Sequence, residues 1–298
     1  GTIAAAFVQA EPELKGRKFT IITCENWKEP ARQLKEGILR ELKSQELKAS
    51  FEEKIGVSEA VIMRSGVEAT EEVRNIDENA VSVTDFWELP IDKTRMNGAL
   101  ISFEGVDYKE NFAGFLQQKL YTFNTTNATI AYLGRLRGIE LLSEAANDPE
   151  IVEIVERVHE EINPAISREM KLPLADQELF SQKALKKYQD QSVTDFTERH
   201  ARDPIRKLGP FDRIIGTLRL VEKQGLSYDA LAITAAAAIY YPATNPADPT
   251  ADRLARLRKE QGVDGVLEQI CGISPQEQAG FTIKRQIEYL KQKGWLHG

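Results

Sequence analysis

A lysine and two asparagines stand close together in the stretch KLYTFNTTNATIAYLG, residues 119–134. In a partly desolvated pocket a lysine loses pKa and can act as a base near neutral pH. An asparagine amide can donate to a developing alkoxide or a carbonyl oxygen without itself titrating. If the stretch is α-helical, 100° per residue puts Asn127 about 80° and Asn124 about 140° round from Lys119, so all three can line one wall of a pocket. Together they suit oxidation of an alcohol or reduction of a ketone. A solvated polar helix face is the plainer alternative. The stretch also holds four threonines. Asn and Thr are mediocre helix formers because their side chains compete for backbone hydrogen bonds. NTT and NAT are glycosylation sequons as well, but no secretory signal accompanies them.

Two other stretches carry candidate chemistry. TCEN (23–26) ends an apolar run and puts Asn26 at the carboxyl end of a strand, where open parallel sheets hold their ligands; a simple turn is the alternative. ERHARDPIRKLGPFDR (198–213) gathers Arg199, Arg202, Arg206, Lys207 and Arg213. Such a cluster can hold a phosphate or a carboxylate. Asp203 and Asp212 could equally offset it in a solvated loop.

The elements that must position these residues are of two kinds. GRKFTIITCEN (16–26) reads as a buried parallel strand and ARQLKEGILRELKSQ (31–45) as a helix. SEAVIMRSG (58–66), AVSVTDFWELPID (80–92) and, more weakly, GALISFEG (98–105) read as further strands. From about residue 107 the pattern is helical. Asp148-Pro149 make an N-cap and N1 pair, followed by Ile151, Val155, Val158 and Ile162 on one face. Further helical runs follow, separated by Gly and Pro. The expected fold is α/β followed by all-α, with residues 1–106 and 107–298 as the two domains.

The 298 residues suit about two domains of roughly 150 each. A net charge of −7 argues against nucleic-acid and anionic-membrane partners. No apolar run approaches the roughly 20 residues that span a bilayer. Two distant cysteines, Cys24 and Cys271, point to a reducing cytoplasm rather than a disulfide framework. The three histidines have no metal-ligand spacing, so no metal site is expected.

Taken together, these stretches resemble the long-chain polyol (mannitol) dehydrogenase family, most closely its polyol-phosphate branch, the mannitol-1-phosphate 5-dehydrogenases. Lys119, Asn124 and the AYLG of 131–134 match the family's Lys-x4-Asn run. TIITCEN looks like the strand that closes the family's nucleotide-binding sheet. FWELPIDKTRMNG (86–98) is similar to its interdomain Asp-Lys-Thr segment. ERHARDPIRKLGPFDRIIG resembles its Arg-x-Pro-x-Arg-Lys-Leu stretch, and EQICGISPQ echoes a segment near its C-terminus. The resemblance covers nearly the whole chain. It implies the end of a Rossmann-type domain plus a large helical C-terminal domain, and an enzyme that uses NAD, or NADP, without a metal. It implies Lys119 as general base, Asn124 and Asn26 as the amides that polarise the reacting oxygen, and Arg199 and Lys207 as sugar contacts, with Arg206 beside them. Asn26 is also the expected cofactor contact. The implied substrate is a sugar alcohol or its phosphate.

Three departures matter. Asn127 stands where the family has a histidine, and Met63 where it has the aspartate of a Val-Asp-Arg run; both are expected substrate-side positions. No GxGxxG occurs, and the chain opens without Met, apparently inside a helix. The expectation is that the Gly-rich nucleotide-binding part precedes Gly1. Two alternatives stay open: a hexuronate reductase of the family, reducing a keto-acid sugar, or, favoured by Asn127 and Met63, a non-catalytic member acting as a binding or scaffold protein.

Overall fold

The computed structural model describes residues 1–25, 29–241 and 248–296. The chain divides into two compact units, Gly1–Gly66 with Asp85–Leu116, and Val67–Thr84 with Gln117–Gly298.

The first unit begins with α1 (Thr2–Ala10), β1 (Phe19–Thr23), α2 (Pro30–Glu41), α3 (Gln45–Lys54) and β2 (Ile55–Glu59). β1 and β2 pair in parallel, with Phe19 opposite Ile55 and Thr23 opposite Glu59. Parallel neighbours need a long crossover, and α2 and α3 supply it. Phe7, Ala31, Ile38, Leu42, Phe51 and Val57 form the core between helices and strands. The helix expected at 31–45 forms as α2 but ends at Glu41, and Gln45 already belongs to α3. Leu42 turns extended, and the Ser44 side chain accepts from Leu47 N at 3.2 Å to cap α3.

Next in sequence, β3 (Gly66–Glu68) and β4 (Val81–Val83) flank α4 (Glu71–Ile76) and form a two-stranded sheet. A second parallel pair joins β5 (Leu89–Asp92) and β6 (Val106–Lys109), with Leu89 opposite Val106. The strand expected at 98–105 does not form. Gly98 and Gly105 at its ends have φ of 88° and 85°, a left-handed backbone that no strand carries, so pairing starts one residue later. The candidate at 58–66 is displaced: β2 runs Ile55–Glu59, Ala60 makes a single antiparallel bridge to Ile91, and Gly66 already opens β3. The run at 80–92 splits into β4 and β5.

Beyond residue 110, no strand is present among the described residues; an isolated bridge joins Leu141 and Phe196. The helices are α5 (Phe112–Lys119), α6 (Thr125–Leu136), α7 (Leu142–Asn147), α8 (Pro149–Met170), α9 (Leu174–Gln189), α10 (Thr197–Ala201), α11 (Pro204–Lys207), α12 (Ile215–Lys223), α13 (Asp229–Ile239), α14 (Pro249–Val266) and α15 (Gln278–Gln292). Asp148 caps α8 as its sequence suggests, accepting from Glu150 N and Ile151 N at 3.1 and 3.2 Å. Ile151, Val155, Val158 and Ile162 are fully buried. α13 is apolar all round and buried from Ala230 to Ile239, as suits the central helix of a bundle. Among the described residues no helix is long and apolar enough to cross a membrane.

Candidate active site

Lys119 closes α5, and the chain continues through a π-helical turn, Leu120–Asn124, into α6. A π turn runs its hydrogen bonds from i to i+5 and adds a residue to the turn. Lys119 and Asn124 are five apart, so the wider turn swings Asn124 toward the lysine's face. The angle of about 140° expected of a regular α-helix is therefore corrected by the local geometry. Such turns are found disproportionately at functional sites.

The four threonines explain how a helix this poor in propensity is held. Thr122, Thr125, Thr126 and Thr129 are all fully buried. Thr125 Oγ1 donates to the Arg213 carbonyl at 2.7 Å and lies 3.1 Å from Thr217 Oγ1. Thr126 Oγ1 is 2.8 Å from His159 Nε2, and Thr129 Oγ1 is 2.9 Å from Thr234 Oγ1. Thr122 Oγ1 accepts from Gln177 Nε2 at 3.0 Å. Each hydroxyl therefore ties the segment to α8, α9, α12 or α13, or to the residues just before α12. A satisfied buried hydrogen bond of this kind contributes about 1 kcal/mol.

Lys119 and Asn124 are treated differently. Both are partly buried, and among the described residues neither side chain makes a hydrogen bond. Burial, with help from the Arg213 guanidinium, brings the Lys119 ammonium down to about 8. Lys187, on α9, falls to about 8 for the same first reason, with Lys119 and Arg199 adding repulsion and Asp195 opposing. Within the second unit Lys119 thus feels Arg213, and Lys187 feels Lys119 and Arg199.

Asn127 is buried, and its Nδ2 lies 2.9 Å from His200 Nδ1. His200 Nε2 is 2.7 Å from Asp195 Oδ2. Arg199 grips the same carboxylate through Nε, at 2.7 Å, and through Nη2. Burial alone would push the Asp195 carboxyl up, but the bonds from Arg199 and His200 hold it far below the usual carboxylate range. Gly134 makes this approach possible. A Cβ there would come within 2.8 Å of Ala145 Cβ and 3.0 Å of Thr197 Cγ2. Gly134 lies seven residues from Asn127, on the same helix face. The AYLG run therefore seats α10 against α6.

Residues 1–105 match the mannitol dehydrogenase Rossmann domain, and residues 111–274 match the mannitol dehydrogenase C-terminal domain. The chain belongs to the mannitol dehydrogenase family. It is 30% identical over 275 residues to a mannitol-1-phosphate 5-dehydrogenase of Bacillus pumilus (strain SAFR-032), covering 92% of this chain and 70% of that protein. Its fold is that of a mannitol 2-dehydrogenase of Pseudomonas fluorescens, solved as a ternary complex with NAD and D-mannitol, with a TM-score of 0.67 and 20% identity. It also matches a substrate-free D-sorbitol dehydrogenase, with a TM-score of 0.81 and 16% identity. Each match covers 98% of this chain, which spans 64% of the length of each of these two structures. The Rossmann-type domain followed by a largely helical one is the architecture that the sequence led us to expect.

Against this family frame, the candidate residues separate. Lys207 is buried; its Nζ donates to the His200 carbonyl and lies 5.8 Å from the Tyr132 ring centroid. Burial first, then Arg213 and Arg206, bring it down to about 7. Arg206 is taken up by Asp203 and Asp212, at 2.5 and 3.1 Å. Arg213 pairs with Asp212 at 2.8 Å. The offsetting role of Asp203 and Asp212 is therefore realised alongside any ligand role of the cluster. Met63 belongs to the first unit, where its side chain is buried. Asn26 lies outside the described residues. Sequence reasoning missed Lys187, His200 and Asp195. His200 stood in plain sight inside the basic cluster, but a histidine test based on metal spacing passes over one whose partners are an amide and a carboxylate.

Proposed function

We propose that this protein interconverts a sugar alcohol, specifically a phosphate such as mannitol 1-phosphate, and the corresponding keto sugar, with Lys119 as the general base. The observation that carries this reading is a partly buried lysine, brought down to about 8, on a π turn with Asn124, neither side chain hydrogen-bonded to any described residue. In its neutral form Lys119 takes the proton from the substrate hydroxyl. The Asn124 amide donates to the same oxygen as charge develops on it. In the reverse direction the ammonium returns the proton.

NAD, when bound, supplies the hydride acceptor. Its fit to this chain is partial. The parallel pair β1–β2 offers the carboxyl edge at which such sheets hold ligands. The helix that follows β1 does not offer a pyrophosphate cradle, because the Glu59 carboxylate already accepts from Ala31 N at 3.2 Å. Asn26 remains the proposed cofactor-side and oxygen-polarising residue on family resemblance. NADP is the other cofactor the reading admits.

Two findings support a phosphorylated substrate: Lys119 and Lys187 lie close enough to repel each other, and the chain is 30% identical to a mannitol-1-phosphate 5-dehydrogenase. A second reading, reduction of a keto-acid sugar, is favoured by the pairing of Arg206 and Arg213 with aspartates, which leaves less cationic charge for a dianion. Both readings are compatible with a reducing cytoplasm, since Cys24 and Cys271 are free thiols.

The test is a substrate panel assayed with NAD and NADP. Mannitol 1-phosphate should be oxidised with a kcat/KM well above that of mannitol. Preferential turnover of a hexuronate would select the second reading. Turnover of none of them would leave a non-catalytic family member.

A further inference from the structure

The chain of contacts Asn127–His200–Asp195–Arg199 has no part in the proton transfer described above. Its chemistry nevertheless fixes something about the site. The Asp195 carboxylate, clamped by Arg199, is ionised and can only accept. His200 Nε2 lies 2.7 Å from this carboxylate and 3.1 Å from Arg199 Nη2; the shorter contact, to an ionised acceptor, assigns Nε2 as the N–H of the ring. In a neutral imidazole the other nitrogen is then an acceptor. Nδ1 accepts, so the group it meets at 2.9 Å is the NH2 of Asn127 and not its carbonyl oxygen.

We propose that His200 is a positioning residue that locks the Asn127 carboxamide with its Oδ1 free, so that position 127 offers an acceptor to a substrate hydroxyl. This rests on the polyol reading. Among the described residues no side chain or backbone donor is paired with Asn127 Oδ1. The imidazole is engaged at both nitrogens, by Asn127 and by Asp195. It sits edge-on to the Tyr188 ring with centroids 6.5 Å apart, and Lys207 Nζ holds the His200 carbonyl. Gly134 supplies the backbone approach between α6 and α10 that the contact needs. Burial keeps the ring neutral against the pull of Asp195. A protonated ring would donate from both nitrogens, and Asn127 would have to turn round, presenting NH2 outward instead.

An acceptor at this point recognises a polyol by one of its hydroxyl groups. It rejects an analogue in which that hydroxyl is missing or replaced by an ether oxygen, because neither has a proton to give.

Two measurements test this. The first is the long-range proton–nitrogen spectrum of the His200 imidazole in the protein at pH 7, assigned with His200→Asn. It should show a neutral ring protonated on Nε2. A ring protonated on Nδ1, or on both nitrogens, overturns the proposal. The second is a pair of variants. In His200→Asn the short amide oxygen falls near the place of Nδ1 and can still accept from Asn127. In His200→Gln the longer amide reaches Asp195 instead. Loss of one hydrogen bond corresponds to about a tenfold fall in kcat/KM. We expect that fall, mainly through KM, in His200→Gln and its substantial rescue in His200→Asn. The reverse pattern would show that His200 only props up Asp195, and would overturn the proposal. If the unaltered protein turns over no polyol, polyol phosphate or keto-acid sugar, the dehydrogenase reading falls, while the imidazole spectrum still decides which way Asn127 points.

Discussion

Two polar segments of the second unit differ in how their polar side chains are used. Residues 119–129 set one lysine, two asparagines and four threonines among apolar residues, and residues 195–213 set arginines, aspartates, a lysine and a histidine among theirs. In the second segment the charges answer one another: Arg199 with Asp195, Arg206 with Asp203 and Asp212, Arg213 with Asp212. In the first the threonines are bonded to the core, while Lys119 and Asn124 bond to nothing described. Removing a charge from water without a partner is costly. Lys119 is held in this way beside arginines that are paired with aspartates, and it is the group the proposed mechanism uses as base. The paired segment, by contrast, shapes the surroundings: it sets the field at Lys119 through Arg213 and the orientation of Asn127 through His200.

The sharpest way to break this comparison is to remove the unpaired group. Lys119→Ala should lower kcat by roughly 10²–10⁴-fold, the usual worth of a positioned general base. Thermal stability should not fall, because the side chain leaves no hydrogen bond behind. Lys119→Arg should not restore turnover, since a guanidinium does not deprotonate near neutral pH. A variant that loses stability instead of activity would place Lys119 among the structural residues.

The next effect belongs to the satisfied set. His159, buried behind Thr126, is brought down to about 4 by its burial. A histidine depressed in the fold is neutral there and charged when unfolded at mildly acid pH. Its contribution is therefore fully present above the unfolded value of 6.5 and is lost as pH falls through 4. The linkage is on the order of 3 kcal/mol across that window. Denaturant titrations from pH 7 to pH 4 should show this slope, and His159→Gln, which cannot titrate, should flatten it. Equal slopes in the two proteins would mean that the ring is not held neutral.

How much of this was legible beforehand depended on what each feature rests upon. The helix α8 could be read because its cap, its proline and its apolar face are all local; Asp148 and Ile151–Ile162 behave as their spacing says. The short strands could not be bounded. Their limits follow from partners and from the positive φ of Gly98 and Gly105, neither of which an apolar run displays. Lys119 and Asn124 stood out as residue types, but not their alignment, because the π turn is stabilised from outside, through Thr125 and its contacts to Arg213 and Thr217. The partner of Asn127, His200, comes from 73 positions away, on a five-residue helix with no periodicity of its own to detect.

The smallest effect is the one that links the two segments. Arg213 is the neighbour whose charge most depresses Lys119 after burial itself. Its own side chain is anchored to Asp212, and the hydrogen bonds that Thr125 and Thr217 make nearby go to its backbone carbonyl. Arg213→Gln should therefore leave the π turn in place while removing the charge. Lys119 must be neutral to accept a proton, so the rate of alcohol oxidation rises with pH through the lysine's pKa. Without Arg213 the ammonium is less strongly disfavoured, its pKa climbs, and the ascending limb of the kcat/KM profile moves to higher pH. The plateau above it should stand near that of the unaltered protein, because the neutral lysine is the same base in both. A limb that stays where it was would show that the titrating group is not Lys119, or that Arg213 acts on the substrate and not on the lysine; a lowered plateau with an unmoved limb would identify the second case.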